Sequence, residues 1–199
     1  MLSFLKQFQP RHLREFARHI RNFRYEPTDD GGLLLLDANV VFSGIHSVSQ
    51  NGGPWTPHKN LVPVEGLNHL LDVGIHGVAA TATWYTAPFS GNVTPLSTHT
   101  AATFASAFTE LTTQYSESTR IAFVEGAAAA GVINNHSNPA VMTTAVDTVT
   151  VYGSGVLSVS TKGATTGVLL SVAKYASAYS LPTTGGTLGI KHQITATSS

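Results

Sequence analysis

From Ala80 to the C-terminus the chain keeps returning to one texture, short runs of β-branched and aromatic residues closed off by glycine, proline or asparagine. The runs are Ala80–Phe89, Arg120–Val124, Val141–Val146, Thr148–Ser160, Gly167–Tyr175 and Gly189–Thr197. The breaks fall at Pro88, Gly91-Asn92, Gly126, Asn134-Asn135, Gly163 and Gly185-Gly186. No long helical period separates the runs, which argues against β-α-β units. The expected fold is all-β, an antiparallel sandwich or jelly roll. Ala101–Leu111 fits a helix or a strand, and Gly153-Ser154-Gly155, inside a strand pattern, reads as a bend or bulge. No fixed repeat period is visible.

A length of 199 residues accommodates one compact β domain with an appendage. Only 11% of residues are charged, whereas Ser and Thr together number 43, so the surface is hydroxyl-rich rather than ionic. A hydrophobic content of 42% sets the chain apart from disordered segments. With no cysteine, disulfides, thiolate catalysis and Cys-ligated zinc are excluded. The longest apolar runs, Leu33–Leu36 and Gly167–Ala173, fall far short of the roughly 18 residues that cross a bilayer, so no membrane partner is expected. Lys6, Gln7 and Gln9 interrupt the first apolar residues, and no secretory leader is expected.

The net charge of zero hides a polarity along the chain. Lys6, Arg11, Arg14, Arg18, Arg21 and Arg24 oppose only Glu15 in residues 1–24, a balance of +5, and the remainder carries −5. Leu13, Phe16, Ala17, Ile20 and Phe23 recur at helical spacing with arginines on the other side, which predicts an amphipathic helix over about residues 10–24, with Pro10 in its first turn. Between Tyr25 and Asn60 turn residues alternate with short strands at Leu33–Leu36 and Val40–Phe42, the pattern of an extended arm. Leu33, Leu34, Leu35 and Leu36 point alternately to both faces of a strand and need cover on both. Trp55, between Pro54 and Pro57, is a candidate apolar anchor. The expected organisation is a basic helix and docking arm over residues 1–60 and a β-sandwich over 61–199. A short helix ending at Gly74 is expected over residues 64–74.

Sequence motifs for catalysis are missing. No local carboxylate pair suggests glycoside hydrolysis, and His69 and His76 straddle a glycine without forming a metal-binding face. His58 and His136 lie among turn residues and read as loop donors. Gly153-Ser154-Gly155 falls short of a nucleophile elbow, and no phosphate-cradling glycine loop occurs. No cofactor, metal or catalytic residue is expected, and direct nucleic-acid contact ranks below protein docking.

The segment from Asn60 to Ser199, about two-thirds of the chain, resembles a family of small tailed-bacteriophage virion proteins, some of which are capsid cement or decoration proteins. The resemblance is carried by residues 60–73 (NLVPVEGLNHLLDV), Thr83-Trp84-Tyr85 with Phe89-Ser90-Gly91, Ser118-Thr119-Arg120, Thr150-Val151-Tyr152-Gly153 and residues 162–167 (KGATTG). It implies a virion protein without enzymatic activity. Combined with the charge pattern, the expectation is a protein that stabilises a capsid by docking on the major capsid protein and forms a homo-oligomer, dimer before trimer. Arg11, Arg14, Arg18, Arg21 and Arg24 would meet acidic groups, and Leu33–Leu36 with Trp55 would supply apolar anchoring. The alternatives are a virion-surface or tail module that recognises carbohydrate through Trp84 or Tyr85, and a hydrolase assembled from distant Ser, His and Asp residues.

Overall fold

The computed structural model describes residues 25–27, 33–35 and 40–198. They divide into a smaller unit ending at Val41, which also takes in the last three residues, and a compact unit from Phe42 to Ala196. In the smaller unit β1 (Tyr25–Pro27) pairs antiparallel with β2 (Leu33–Leu35), Tyr25 opposite Leu35. The strand expected over Leu33–Leu36 is present as far as Leu35. The helix expected over residues 10–24, with its arginines, and Leu36 lie outside the described residues.

Along the rest of the chain run β3 (Val40–Gln50), β4 (Thr56–Lys59), α1 (Val64–Leu71), β5 (Trp84–Phe89), α2 (Ala101–Phe108) and β6 (Ile121–Phe123). They are followed by β7 (Val132–Asn134), β8 (Ala140–Thr143), β9 (Val149–Leu157), β10 (Leu169–Leu181) and β11 (Thr187–Ser198). One sheet has the order β10-β9-β5-β6; the other has β4-β3-β11-β7, with β8 also paired to β11. The pairings within each sheet are antiparallel. Val48 and Ile190 from the second sheet share a core cluster with Val151 from the first, so the sheets face each other as a sandwich.

Residues 42–59, on the arm side of the expected boundary at 60, form strands of the second sheet, and the compact unit begins at Phe42. The inward positions of β3 include Gly44, His46 and Val48, and a glycine and a histidine there blur the hydrophobic alternation that marks a half-buried strand. The five-residue β3–β4 connection opens with a tight turn at Asn51 (φ 49°) and Gly52 (φ 74°), both left-handed, closed by the Gly53 N–H donating to the Gln50 carbonyl at 2.9 Å.

Ala101–Leu111 resolves into α2, with Ala101, Phe104 and Phe108 buried at helical spacing and the Thr100 N–H donating to Thr103 Oγ1 at 3.1 Å. The rings of Phe89, Phe104 and Phe108 stack into the second core cluster. That stack explains Gly153 and Gly155: a Cβ at Gly153 would strike the Phe89 ring, and one at Gly155 would come within 2.5 Å of Phe104. β9 continues unbroken through these glycines, and the irregularity expected there appears as a register shift against β10 that begins opposite Gly153, between Lys174 and Tyr179; a second shift lies between Leu169 and Ser171.

Helix α1 itself stops at Leu71, but the helical stretch reaches past the expected end at Gly74. It runs into a π-helical turn, Asp72–His76, closed by Gly77 in the left-handed conformation at φ 76°. Glu65 accepts the Ala101 N–H at 2.8 Å and the Leu169 N–H at 2.7 Å, tying α1 to the start of α2 and to β10.

Candidate functional site

Three histidines meet between the sheets. His46 on β3 is fully buried, with Nδ1 2.9 Å from Ser154 Oγ on β9 and Nε2 3.2 Å from Ser171 Oγ on β10. The Tyr175 hydroxyl donates to Ser154 Oγ at 2.9 Å, which leaves the Ser154 proton for His46 Nδ1 and the His46 Nε2–H for Ser171. His192 on β11 stands edge-on to His46, ring centroids 4.2 Å apart, with Nε2 2.7 Å from Thr86 Oγ1. Its backbone N–H donates to Asn135 Oδ1 at 2.6 Å. His58 on β4, expected in a loop, is instead a buried strand residue: it accepts the Ala176 N–H at Nδ1 and lies 3.2 Å from the Tyr179 hydroxyl at Nε2.

Burial fixes the chemistry of this layer. Desolvation disfavours imidazolium, holding His46 well below its ordinary pKa and His192 at about 3. His58 is lowered for the same reason. Burial raises the Tyr175 hydroxyl, which stays protonated as a donor. A serine hydroxyl beside a neutral imidazole is a nucleophile–base pair in composition, yet Ser154, His46 and Ser171 have no exposed surface. The Ser154 side chain points to the opposite face of β9 from the Phe89 and Phe104 rings, into the sealed space shared with His46 and Tyr175, so no substrate carbonyl can reach its Oγ. The layer is structural: it joins strands of both sheets through directional bonds.

A buried ion pair plays a similar part at the next edge. Arg120 donates from Nε to Glu110 Oε1 at 2.8 Å and from Nη2 to Oε2 at 2.7 Å, with both side chains buried. Its remaining donors reach the Val159 and Ala164 carbonyls, and Glu110 also accepts the Gly163 N–H. The pair therefore holds the loop between β9 and β10.

The open site is elsewhere. A cleft of about 340 Å³ lies beside α1, walled by Leu70, Trp84, Phe123, Ile133, Leu170 and Ile194, where the third core cluster meets the surface. Its polar groups are few. His69 Nε2 lies 3.1 Å from Thr81 Oγ1, the His69 ring meets Trp84 edge-on at 5.4 Å, and Glu125 adds a carboxylate. Such a cleft accepts apolar surface and offers little for fixing a polyhydroxylated ligand.

Arg11, Arg14, Arg18, Arg21, Arg24 and Leu36 lie outside the described residues; Leu33, Leu34 and Leu35 form β2. Trp55 packs against its own sheet, its ring over Gly189 and under Lys191 Nζ at 4.0 Å, and is 40% exposed. Of the adjacent aromatics, Trp84 lines the cleft and Tyr85 takes the opposite face of β5. The cleft itself went unnoticed because its walls come from distant segments. Its one local signal is a helix with apolar residues on two sides, Leu67 and Leu70 against Leu71 and Ile75.

Comparison with models of known protein families and with curated proteins finds no match. The chain's chemistry must be read from its own residues.

Proposed function

We propose that this is a non-enzymatic virion structural protein of the capsid cement or decoration type. Its N-terminal segment docks on the lattice of the major capsid protein, and its jelly-roll-like sandwich stiffens the joints between subunits. In this reading residues 10–24 form the amphipathic helix, the arginines meet acidic groups of the lattice, and assembly takes place in the host cytoplasm.

One observation carries the proposal: six of the chain's eleven Lys and Arg residues lie in residues 1–24, ahead of a sandwich whose His46, Ser154, Ser171 and Tyr175 are sealed between its sheets. A chain that separates its cations from its fold in this way is arranged for docking, and many copies on a symmetric lattice convert weak contacts into firm attachment. The carbohydrate-recognition alternative has Trp84 as its platform, but the mostly apolar walls around it disfavour a sugar.

The test is co-sedimentation of the full chain with purified empty heads. Changing Arg11, Arg14, Arg18, Arg21 and Arg24 together to Glu should abolish binding and leave the unfolding transition of the sandwich in place. Full occupancy by the charge-reversed chain would overturn the docking role. Hits on a glycan array would transfer the assignment to a recognition module.

A further inference from the structure

The stretch from α1 through the π-helical turn carries an apolar ridge that the described residues do not cover. Ile75 is 83% exposed and Leu71 52%, and Val64 and Val78 are about half exposed. Leu71 ends α1, Ile75 lies in the π-helical turn and Val78 follows the left-handed Gly77 that closes it, with Val64 two turns before Leu71. The Val64 N–H donates to the Ser97 carbonyl at 3.0 Å, which brings exposed Leu96 to the same end. The Val78 N–H returns to the Asp72 carbonyl at 3.1 Å, and left-handed Gly77 closes the turn, so Ile75 is held out on a fixed support. Between Gly66 and Thr83 Asp72 is the one Asp, Glu, Lys or Arg, accompanied by His69 and His76.

We propose that this ridge and the neighbouring cleft form a self-complementary interface through which two copies of the chain pair, Ile75 of each copy seating in the cleft of the other. The ridge supplies a projecting aliphatic side chain, and the adjoining cleft supplies an apolar recess of about 340 Å³. A surface that carries both the projection and the recess fits a second copy related by a two-fold axis, because each contact is then made twice. The five exposed aliphatic residues present roughly 450 Å² per copy, as large as the biggest apolar patch ordinary for a monomer. With the cleft walls added, this comes to roughly 600 Å² per copy, the lower end of the range for a specific interface. The near absence of charge on the ridge favours a partner equally uncharged, which the same ridge on another copy is. This pairing goes beyond the capsid reading and does not depend on it.

Sedimentation velocity on the full chain over a range of concentrations tests the pairing, alongside the Ile75→Glu variant. Wild type should pass from monomer to dimer as concentration rises, and Ile75→Glu should weaken that step at least a hundredfold, since two carboxylates would enter two apolar recesses. In a Trp55→Phe background the emission of Trp84, in the cleft wall, should shift to shorter wavelength on pairing and stay constant in Ile75→Glu. A wild-type chain that remains monomeric at 100 µM, dimerisation unchanged by Ile75→Glu, or Trp84 emission indifferent to association would each overturn the proposal. So would a closed trimer. Should Ile75→Glu lower the unfolding temperature, Leu71→Lys on the same ridge makes the same test.

Discussion

The space between the sheets and the surface around α1 depart from the usual arrangement in opposite directions. Between the sheets lie His46, His192, Ser154 and Ser171, joined at the neighbouring edge by the Glu110–Arg120 pair. Outside α1 stand Leu71, Ile75 and Val78. The inner polar groups have partners on both sheets: His46 alone reaches β9 and β10 from β3. Each directional bond there penalises a slipped register, because a buried polar group that loses its partner costs more than the bond contributes. The outer residues find no such complement within the described fold. One region specifies which sandwich forms; the other is equipped for what the sandwich joins.

The comparison breaks most sharply at the ion pair. Arg120→Met should destabilise the protein by about 3–5 kcal/mol in urea unfolding, because Glu110 is left charged and buried. Adding Glu110→Leu should restore much of that loss. A single variant as stable as wild type would mean that water reaches the pair.

Acid should act next. His46 and His192 stay neutral when folded but bind a proton near pH 6.5 when unfolded, so the unfolded state takes up more protons as pH falls. Their contribution is complete above about pH 6.5 and declines below it, towards about pH 3 for His192. At pH 5 the loss is about 2 kcal/mol for His192, with a further loss of the same sign from His46, read from urea unfolding at pH 7.5 and 5. Equal midpoints would contradict a sealed layer.

The smallest effect sharpens the picture at the end of α2. Thr109 closes that helix at φ 54°, a conformation costly for a β-branched residue, and its side chain is exposed. Thr109→Gly should therefore stabilise by about 0.5–1 kcal/mol, visible as a raised unfolding temperature, whereas the polar layer and the ion pair tolerate no such exchange.

Much of the fold is legible locally. The β-branched runs that precede β5, β6, β8, β9, β10 and β11 mark those strands, and the helix after Pro63 is marked by Leu67, Leu70 and Leu71. What is illegible is instructive. β3 carries Gly44 and His46 on its inner face, so alternation could not reveal that it belongs to the sandwich. Gly153 and Gly155 look like a bend until the rings of Phe89 and Phe104, far away in sequence, are laid over them. The cleft draws its walls from α1, β5, β6, β10 and β11, and no window along the chain contains it.

By itself the sequence determined an all-β class, a turn-rich antiparallel architecture, a sparsely charged surface and a cationic N-terminal segment, because residue type, near-neighbour spacing and charge count act locally. Only the tertiary structure decided where the compact unit begins, which hydroxyls and imidazoles are sealed inside, and which aliphatic side chains remain outside. Those depend on which strands become neighbours across the sandwich, and burial belongs to the packed assembly of strands rather than to any one of them.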